Sequence, residues 1–471
     1  MMWIPIDRTL NKPLIRQIYE QIRMQILQGR LKGGDRLPST RVLSSNLNVS
    51  RNVVLEAYEQ LYAEGFIESK QGTGTYVAEG TYLEQEAKSI SKNTNRRKPN
   101  MEVLEDDVID FKSGIPALDL FPRKKWGQIS REVYLEAPDS IFGYGKPEGR
   151  SEIRDVLCDY LLKTRGVRCT PEQLVITTGA TQSFSLVTQL LLSHGDDVCI
   201  EDPITHELHT IFAATGAKLC PIPVDQHGMQ TELIPTNINP GFIYVTPSHQ
   251  FPLGGILPID RRIQLIQYAR KHNCFIVEDD YDSEYRFEGS PISSIQGLDP
   301  DRVIYIGTFS KILSPALRIG YIILPNSLIE RCKNIKWLTD LHTPTLEQLT
   351  IARFIDEGYL ERHIRKMKKT YKKRRDYLKK CLDRHFGTKV NVLGDFTGLH
   401  LIAEFDKISF SNEIVKTILK EHKVKIYPVE QHAIEKGKHC NKIILGYGNL
   451  DERTLEKGVK RLRDGLILSI N

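Results

Sequence analysis

Six short apolar runs, rich in β-branched residues, constrain the fold of this chain more than any other feature. They alternate with segments of helical periodicity and occupy residues 174–177, 197–200, 242–245, 275–277, 303–306 and 319–323. Near-continuous apolar runs of this length suit strands that are buried on both faces, and their alternation with helices predicts an α/β sheet. Because such sheets bind ligands at strand ends and at the helix N-termini that follow, the polar residues after each run are the first candidates for a site.

Polar segments follow three of these runs. Thr178-Gly179-Ala180-Thr181-Gln182 opens a helix, where backbone N–H groups and the helix dipole attract a phosphate. Glu278-Asp279-Asp280-Tyr281 crowds carboxylates that need a partner such as a protonated pyridine nitrogen. Lys311 follows Thr308-Phe309-Ser310, with Arg318 seven residues later, and can form an imine beside a phosphate. Each segment alone has a plainer explanation, namely a turn, solvated carboxylates or a surface lysine, but their order along the chain favours one site.

The first 79 residues carry a different pattern. Apolar residues from Leu14 to Ile26 recur at helical spacing, and two shorter helical patterns follow, with Ser39 and Ser50 as N-caps. The runs 66–70 and 75–77 are joined by a glycine-rich turn and predict a hairpin. Three helices and a hairpin predict a winged helix-turn-helix. The plainer alternative is a structural winged helix that makes protein contacts.

This module offers candidate contacts to a double-stranded DNA operator. The third helix begins with a hydroxyl, a guanidinium and an amide, which suit base edges or phosphates in the major groove. The start of the second helix is expected to contact backbone phosphates, and glycines in the wing tip let backbone N–H groups approach the DNA. The candidate DNA-binding residues are Ser39, Thr40, Arg41, Ser50, Arg51, Asn52, Gly72, Thr73 and Gly74.

Composition narrows the class of protein. A chain of 471 residues exceeds one ordinary domain, and its net charge of +6 allows a nucleic-acid partner without demanding one. The eight cysteines include no CxxC pair and no zinc-ligand spacing, so we expect reduced thiols and no metal site. The sequence has no signal-peptide pattern and no apolar run long enough to span a bilayer, so we expect a cytoplasmic protein with no membrane partner.

The two patterns are separated by a segment without apolar periodicity. We therefore predict a winged helix-turn-helix domain over residues 1–79, a flexible linker over 80–108 and a larger domain over 109–471. The linker carries the basic triplet Arg96-Arg97-Lys98, which can touch DNA phosphates, although such triplets are more often solvated.

Motifs in both modules resemble one known family. Leu37-Pro38-Ser39-Thr40-Arg41, Val49-Ser50-Arg51-Asn52-Val53 and Gly72-Thr73-Gly74-Thr75 resemble the winged helix of GntR-type bacterial regulators. Lys311 with its flanks resembles the pyridoxal phosphate (PLP) lysine of fold-type I aminotransferases, and the combination resembles the MocR subfamily of GntR regulators. The resemblance covers nearly the whole chain. It implies a homodimer with an aminotransferase fold of type I, in which a large α/β domain with a mainly parallel sheet precedes a smaller C-terminal α+β subdomain from about residue 330.

The resemblance also implies a role for each cofactor-binding residue. Lys311 forms the Schiff base with PLP, Asp279 pairs with the pyridine N–H, and Tyr281 reaches the 3-hydroxyl. His249 lies beside the ring, and Tyr144 reaches into the site of the neighbouring subunit. The phosphate is held by Gly179, Ala180, Thr181, Thr308, Ser310 and Arg318.

Two departures from the aminotransferase pattern bear on activity. Ile444 stands where many aminotransferases carry an arginine for the substrate carboxylate. Glu201-Asp202-Pro203-Ile204-Thr205 lacks the Gly-Tyr that commonly follows that proline. Both departures argue against efficient transamination of α-amino acids.

Three functions stay open at this point. The first is a PLP-dependent transcription regulator that senses a small amine, an amino acid or PLP itself. The second is a PLP-dependent aminotransferase with an accessory DNA-binding domain, since the residues for imine formation are compatible with partial transamination. The third is a winged-helix repressor whose large domain serves only for dimerisation.

Overall fold

The computed structural model of the chain describes residues 4–70, 72–81 and 107–470, except the side chains of 467–470. The chain divides into two compact units, residues 1–103 and 104–471. Most of the predicted linker, including Arg96-Arg97-Lys98, lies outside the described residues. In the described ranges, no helix combines the length and the apolar composition that a membrane crossing requires.

Within its described residues, the first unit consists of three helices and a hairpin. Helices α1, α2 and α3 span Leu14–Leu27, Thr40–Leu47 and Arg51–Ala63. Strands β1 (Ile67–Lys70) and β2 (Gly74–Val77) pair antiparallel. One apolar cluster joins all five elements and includes Ile18, Ile22, Leu43, Val54, Leu61, Ile67 and Val77. The predicted winged helix-turn-helix is confirmed, and Ile18, Ile22 and Ile26, which recur at helical spacing in α1, are all buried in this core.

The N-caps of α2 and α3 differ. The Oγ of Ser39 accepts a hydrogen bond from the backbone N–H of Val42 at 3.3 Å and so caps α2. Ser50 has the extended backbone of an N-cap residue, but its side chain makes no capping hydrogen bond to α3. The predicted cap at Ser50 is therefore correct in position only, because its exposed hydroxyl receives no N–H from the first turn.

The second unit opens with a short strand and two helices, and an eight-stranded sheet follows. The first elements are β3 (Ile109–Asp110), α4 (Arg123–Glu136) and α5 (Ser151–Arg165). The strands of the sheet are β4 (Leu174–Thr177), β5 (Asp197–Asp202), β6 (Lys218–Asp225), β7 (Gly228–Met229), β8 (Phe242–Val245), β9 (Phe275–Asp280), β10 (Val303–Thr308) and β11 (Gly320–Ile323). The helices that accompany it are α6 (Ala180–Leu191), α7 (His206–Ala213), α8 (Ile259–Lys271), α9 (Ile329–Asp340) and α10 (Thr345–Asp356).

The strand order is β4-β11-β10-β9-β8-β5-β6-β7. The pairs from β10 to β6 are parallel, whereas β11 is antiparallel to both of its neighbours and β7 is antiparallel to β6. All six predicted runs are strands of this sheet. Alternate residues pack into opposite layers: Ile276 joins one apolar cluster and Val277 another. The central strands are thus buried on both faces, as their composition predicted.

A smaller sheet follows the large one. Helix α11 (Tyr359–Phe386) leads into a sheet of four strands, accompanied by helices α12 (Asn412–His422) and α13 (Glu452–Ile470). The strands are β12 (Val390–Leu393), β13 (His400–Phe405), β15 (Tyr427–Pro428) and β16 (Lys442–Gly446), in the order β12-β13-β16-β15, and β14 (Val424–Lys425) pairs instead with β3.

The chain passes from the cores of the large sheet to the core of the small sheet within α11. Cys332 of α9 and Phe354 of α10 still pack into the cores of the large sheet. Met367 and Leu378 of α11 belong to the core beneath the small sheet. The passage therefore comes later than the expected residue of about 330, because the two preceding helices bury their apolar faces against the large sheet.

Candidate functional site

A cavity of about 710 Å³ lies where the strands of the large sheet end and α6 begins. It receives residues from the ends of β9 and β10, from the segment after β3, from the start of α7 and from the small sheet. The predicted cofactor-binding residues that line it are Ala180, Thr181, Asp279, Tyr281, Thr308, Ser310, Lys311 and Arg318. These residues are far apart in sequence and meet because parallel strands deliver their C-terminal ends to one edge of the sheet.

Lys311 is half-buried and lies three residues after the end of β10. A Cβ atom placed on Gly114, whose φ is +69°, would come within 2.7 Å of the Lys311 Nζ, so a glycine lets the backbone approach the amine. Burial is the main cause that lowers the pKa of Lys311, which favours the neutral amine. A neutral, confined amine is a nucleophile for a carbonyl carbon.

Asp279 has one carboxylate oxygen bonded and one without a partner. Its Oδ2 accepts a hydrogen bond from the Tyr244 hydroxyl at 2.9 Å. Its Oδ1 is buried and has no hydrogen-bond partner among the described residues. Burial is the main cause that raises the pKa of Asp279 to about 7. A buried acceptor of this kind is costly unless a donor reaches it, so the site fits a ligand that presents an N–H there.

Tyr281 separates His249 from the cavity. The Tyr281 hydroxyl donates to the backbone carbonyl of His249 at 2.9 Å, and the two rings stack at 5.7 Å. The Nδ1 of His249 lies 2.9 Å from a carboxylate oxygen of Asp282. His249, Asp282 and His400 place ligand atoms within 4.8 Å of one another, a grouping that the sequence spacing did not reveal. His249 thus lies behind Tyr281 in a buried hydrogen-bonded group and is not among the lining residues.

One corner of the cavity is built for an anion. Gly179, with φ +109°, precedes the first residue of α6, and a Cβ atom there would lie 2.8 Å from the Arg318 guanidinium. The Thr308 hydroxyl donates to the Ser310 Oγ at 3.1 Å, and the Ser310 N–H donates back to Thr308 at 3.2 Å. A helix N-terminus, two hydroxyls and a guanidinium together suit a phosphate.

The other carboxylates at the end of β9 have separate partners. Glu278 accepts backbone N–H groups from Ile295 and Gln296 at 3.0 and 2.9 Å. The Arg165 Nε donates to Asp280 at 2.6 Å, and both side chains are buried. Glu278 and Asp280 thus have partners away from the cavity, although the Oδ1 of Asp280 is unpartnered among the described residues, and of these three acids Asp279 is the one that lines the cavity.

Tyr144 is exposed and does not line the cavity. Its side chain is 83% exposed, and its ring lies 6.2 Å from that of His342. The proposed reach into a neighbouring subunit stays a prediction, since one chain is described.

The candidate DNA-binding residues lie on the surface of the first unit. The Arg51 Nε donates to the Thr40 hydroxyl at 3.3 Å, so the N-termini of α2 and α3 adjoin. Arg41 and Asn52 flank this contact and are exposed. The wing-tip residues Gly72, Thr73 and Gly74 are also exposed, and both glycines have positive φ. The predicted residues at the starts of α2 and α3 therefore form one polar surface. The predicted residues of the wing tip lie on a separate element, the hairpin turn.

Some lining residues were not predicted from the sequence. Tyr244 lies in the apolar strand β8, where its hydroxyl is the feature of the sequence that could have indicated a site. His400, Tyr427 and His432 reach the cavity from the small sheet and from the turn after β15. Their sequence neighbours give no indication of a site, because only the packing of the small layer against the large one brings them there.

Comparisons with known proteins cover both units. Residues 14–77 match the family described as bacterial regulatory proteins, gntR family, and residues 106–462 match aminotransferase class I and II. The chain is 33% identical to the probable rhizopine catabolism regulatory protein MocR of Rhizobium meliloti, over 98% of this chain and 95% of that protein. It is 29% identical to the HTH-type pyridoxine biosynthesis transcriptional regulator PdxR of Corynebacterium glutamicum, over 99% of both. A crystal structure of kynurenine aminotransferase from Pyrococcus horikoshii is similar with a TM-score of 0.72 and 29% identity, covering 78% of this chain and 92% of its own.

The similarity to the regulator MocR covers 98% of this chain, whereas the similarity to the aminotransferase structure covers 78% of it. A winged helix-turn-helix and a mainly parallel sheet that ends in a lysine-containing cavity are joined here in one polypeptide. We conclude that this chain is an HTH-type transcription regulator with an aminotransferase-like domain and that it belongs to the MocR subfamily of GntR-type regulators.

Proposed function

We propose that this regulator binds an operator through residues 1–79 and holds PLP on Lys311 in residues 109–471, joined by a linker over 80–108. In this proposal it acts as a cytoplasmic homodimer and responds to a small amine, an amino acid or PLP. The observation that carries the cofactor assignment is the unpartnered Oδ1 of Asp279, buried in the same cavity as the Lys311 amine.

The residues present fit PLP at each of its functional groups. Lys311 supplies the amine for covalent attachment of the aldehyde, and Asp279 supplies the acceptor for the pyridine N–H. Tyr281 lines the cavity and would face the ring hydroxyl, while Thr308 and Arg318 belong to the anion corner. PLP, when bound, makes the carbonyl carbon reactive towards amines and serves as an electron sink.

DNA recognition is assigned to the surface at the start of α2 and α3. Arg51 supplies a guanidinium fork for a guanine edge or a phosphate, and Ser50 and Asn52 add a hydroxyl and an amide. Arg41 and Ser39 contact backbone phosphates from the adjoining helix end. In a homodimer, two such surfaces read paired half-sites.

The segment after β3 offers a route from the cavity towards the linker. Lys112, Ser113 and Gly114 line the cavity, and Gly114 lies against the Lys311 amine. Four residues before Ser113, Ile109 begins β3, which pairs with β14 next to the small sheet. A bound ligand that moved the Lys311 side chain would alter its contact with Gly114, and this contact is close in sequence to β3, the strand that follows the predicted linker.

Borohydride reduction followed by mass spectrometry tests the cofactor assignment. Full-length protein saturated with PLP should carry one pyridoxyl adduct on Lys311, and the Lys311→Ala variant should carry none. A panel of amines should change operator binding by the wild-type protein but not by the variant. Cofactor-saturated wild-type protein without an adduct on Lys311 would refute the assignment, and an equal response of both proteins would refute the role of Lys311 in sensing.

An aminotransferase with an accessory DNA-binding domain is the second candidate. The lysine, the aspartate and the anion corner favour it, because they are the groups that imine chemistry requires. Ile444 counts against it, since the side chain is fully buried in an apolar cluster and offers no charge for a substrate carboxylate. Sustained turnover with a keto acid acceptor would establish this second function.

A further inference from the structure

One wall of the cavity is a face of the small sheet. Across β13, β16 and β15, Ile402 pairs with Ile444, and Ile444 pairs with Tyr427. Directly paired residues share a sheet face, and His400, two residues before Ile402, lies on the same face. Since His400 and Tyr427 line the cavity, this face is the one turned towards it.

The centre of this wall is apolar. Ile402 and Ile444 are fully buried and form a cluster with Val429, against which Phe251 and Tyr427 pack. Phe251 and Tyr427 also line the cavity, whereas Ile402 and Ile444 do not, so Phe251 and Tyr427 cover the cluster on the cavity side. A carboxylate placed against this wall would lose water and meet no cation, which is strongly unfavourable. A ligand that contacts this wall is therefore not selected for a negative charge.

His400 adds an acceptor to the wall. Its Nε2 lies 3.0 Å from the carbonyl oxygen of Pro252, and because a carbonyl only accepts, Nε2 carries the proton. The neutral ring then carries a lone pair on Nδ1, and His400 is one of the residues that line the cavity. Burial is the main cause that lowers the pKa of His400 to about 3, so the ring stays neutral at physiological pH. A lone pair attracts a hydroxyl or an ammonium and repels a carboxylate.

The charged residues that line the cavity do not provide a partner for the carboxylate of a ligand. Among the described lining residues, the lysine and arginine side chains are Lys112, Lys311 and Arg318, and the last two belong to the proposed cofactor site. Lys112 is exposed and shares the lining with the exposed carboxylate of Glu207. An exposed lysine contributes little to binding, and the nearby carboxylate opposes an anionic ligand.

We propose that the effector is a primary amine that carries a hydroxyl or a second amino group and no carboxylate, recognised by the wall that His400, Phe251 and Tyr427 form in front of Ile402 and Ile444. This inference rests on the proposed function, because the amine reacts at the cofactor on Lys311. His432 also lines the cavity, and its buried Nδ1 has no partner among the described residues, so a second hydrogen bond is available to such a ligand.

The test uses pairs of amines that differ only in the carboxylate. Full-length protein is loaded with PLP, freed of excess cofactor and titrated with ethanolamine against glycine, and with 3-amino-1-propanol against β-alanine. Visible absorbance gives the half-saturation concentration, and free PLP with the same amines corrects for intrinsic reactivity. We expect the amino alcohols to half-saturate the protein at about tenfold lower concentration than their partners. Equal or tighter binding of the amino acids would overturn the inference.

Two variants connect this preference to the wall. Ile444→Arg should reverse it, because it adds a guanidinium to the sheet face that is turned towards the cavity, whereas the control Ile444→Leu should keep it. Since a buried arginine can prevent folding, His400→Phe provides a second test: it keeps an aromatic ring but removes the acceptor, and the preference should fall to about threefold or less. An unchanged preference in folded His400→Phe protein would contradict the inference.

The two proposals fail in different ways. Absence of the borohydride-fixed adduct in wild-type protein, measured before any titration, would contradict the proposed function. A normal adduct together with a preference for glycine and β-alanine would contradict only the assignment of the effector class.

Discussion

The two units place their candidate residues in opposite environments. In the first unit, Arg41, Arg51 and Asn52 are exposed and lie on short helices whose apolar faces form a separate core. In the second unit, Asp279 is buried and Lys311 half-buried, and each depends on neighbours from distant segments. The difference teaches that substitutions in the first unit should change DNA binding without loss of fold, whereas those in the second unit should change stability, cofactor affinity or both.

The largest effect is expected from Arg165→Ala. Arg165 and Asp280 form a buried ion pair in which the arginine and aspartate side chains are 4% and 3% exposed. Loss of the guanidinium leaves a buried carboxylate without its cation, so the free energy of unfolding of the second unit should fall by about 3–5 kcal/mol in urea denaturation. The control Arg150→Ala breaks a more exposed pair with Glu152 and should cost less than about 1 kcal/mol. Similar losses in both variants would remove the distinction between buried and surface pairs.

Asp279→Asn should separate stability from cofactor affinity. The apoprotein should be as stable as wild type or more stable, because a buried carboxylate with an unpartnered oxygen is removed. PLP binding should weaken by about 2–5 kcal/mol, because the pyridinium then lacks its anion. Tyr244→Phe removes one hydrogen bond to Asp279 but keeps the carboxylate, so its loss of affinity should be smaller. Titration of each apoprotein with PLP measures this, and an unchanged affinity of Asp279→Asn would argue against a pyridine at Oδ1.

Arg51→Ala should weaken operator binding without a change in stability. An exposed arginine that makes a bidentate base contact contributes about 1–3 kcal/mol to binding. Arg16→Ala, on the exposed side of α1, serves as the control and should bind DNA like wild type. Fluorescence anisotropy with a labelled operator fragment measures both variants. A loss of thermal stability in Arg51→Ala would show that the surface residue also supports the fold.

The smallest expected effect compares the two cap serines. Ser39→Ala removes the hydrogen bond to Val42 and should lower the stability of the first unit by about 1 kcal/mol. Ser50→Ala removes no capping hydrogen bond and should leave stability nearly unchanged. Thermal unfolding of the two variants gives the comparison. Equal destabilisation would mean that the Ser50 hydroxyl caps α3 in solution.

Predictability from sequence also differs between regions. The six apolar runs were found because strands buried on both faces must be apolar throughout. Strand β6 was missed, since Pro221 and Pro223 interrupt it and most of its residues are only partly buried near the edge of the sheet. The small sheet was expected only as part of a subdomain. The start of that subdomain was predicted at about residue 330, before α9 and α10, because these helices have the same periodicity whichever sheet they cover.

The sequence alone determined the two modules, the order of the chemical groups and the family, because periodicity and local motifs are carried by neighbouring residues. Only the tertiary structure decided that Asp279 has an oxygen without a partner, that His249 lies behind Tyr281, and that Ile444 shares a sheet face with His400. These facts depend on which side chains meet across distant strands. Burial, hydrogen-bond partners and the charge environment arise only when these side chains come into contact, so no single stretch of sequence contains them.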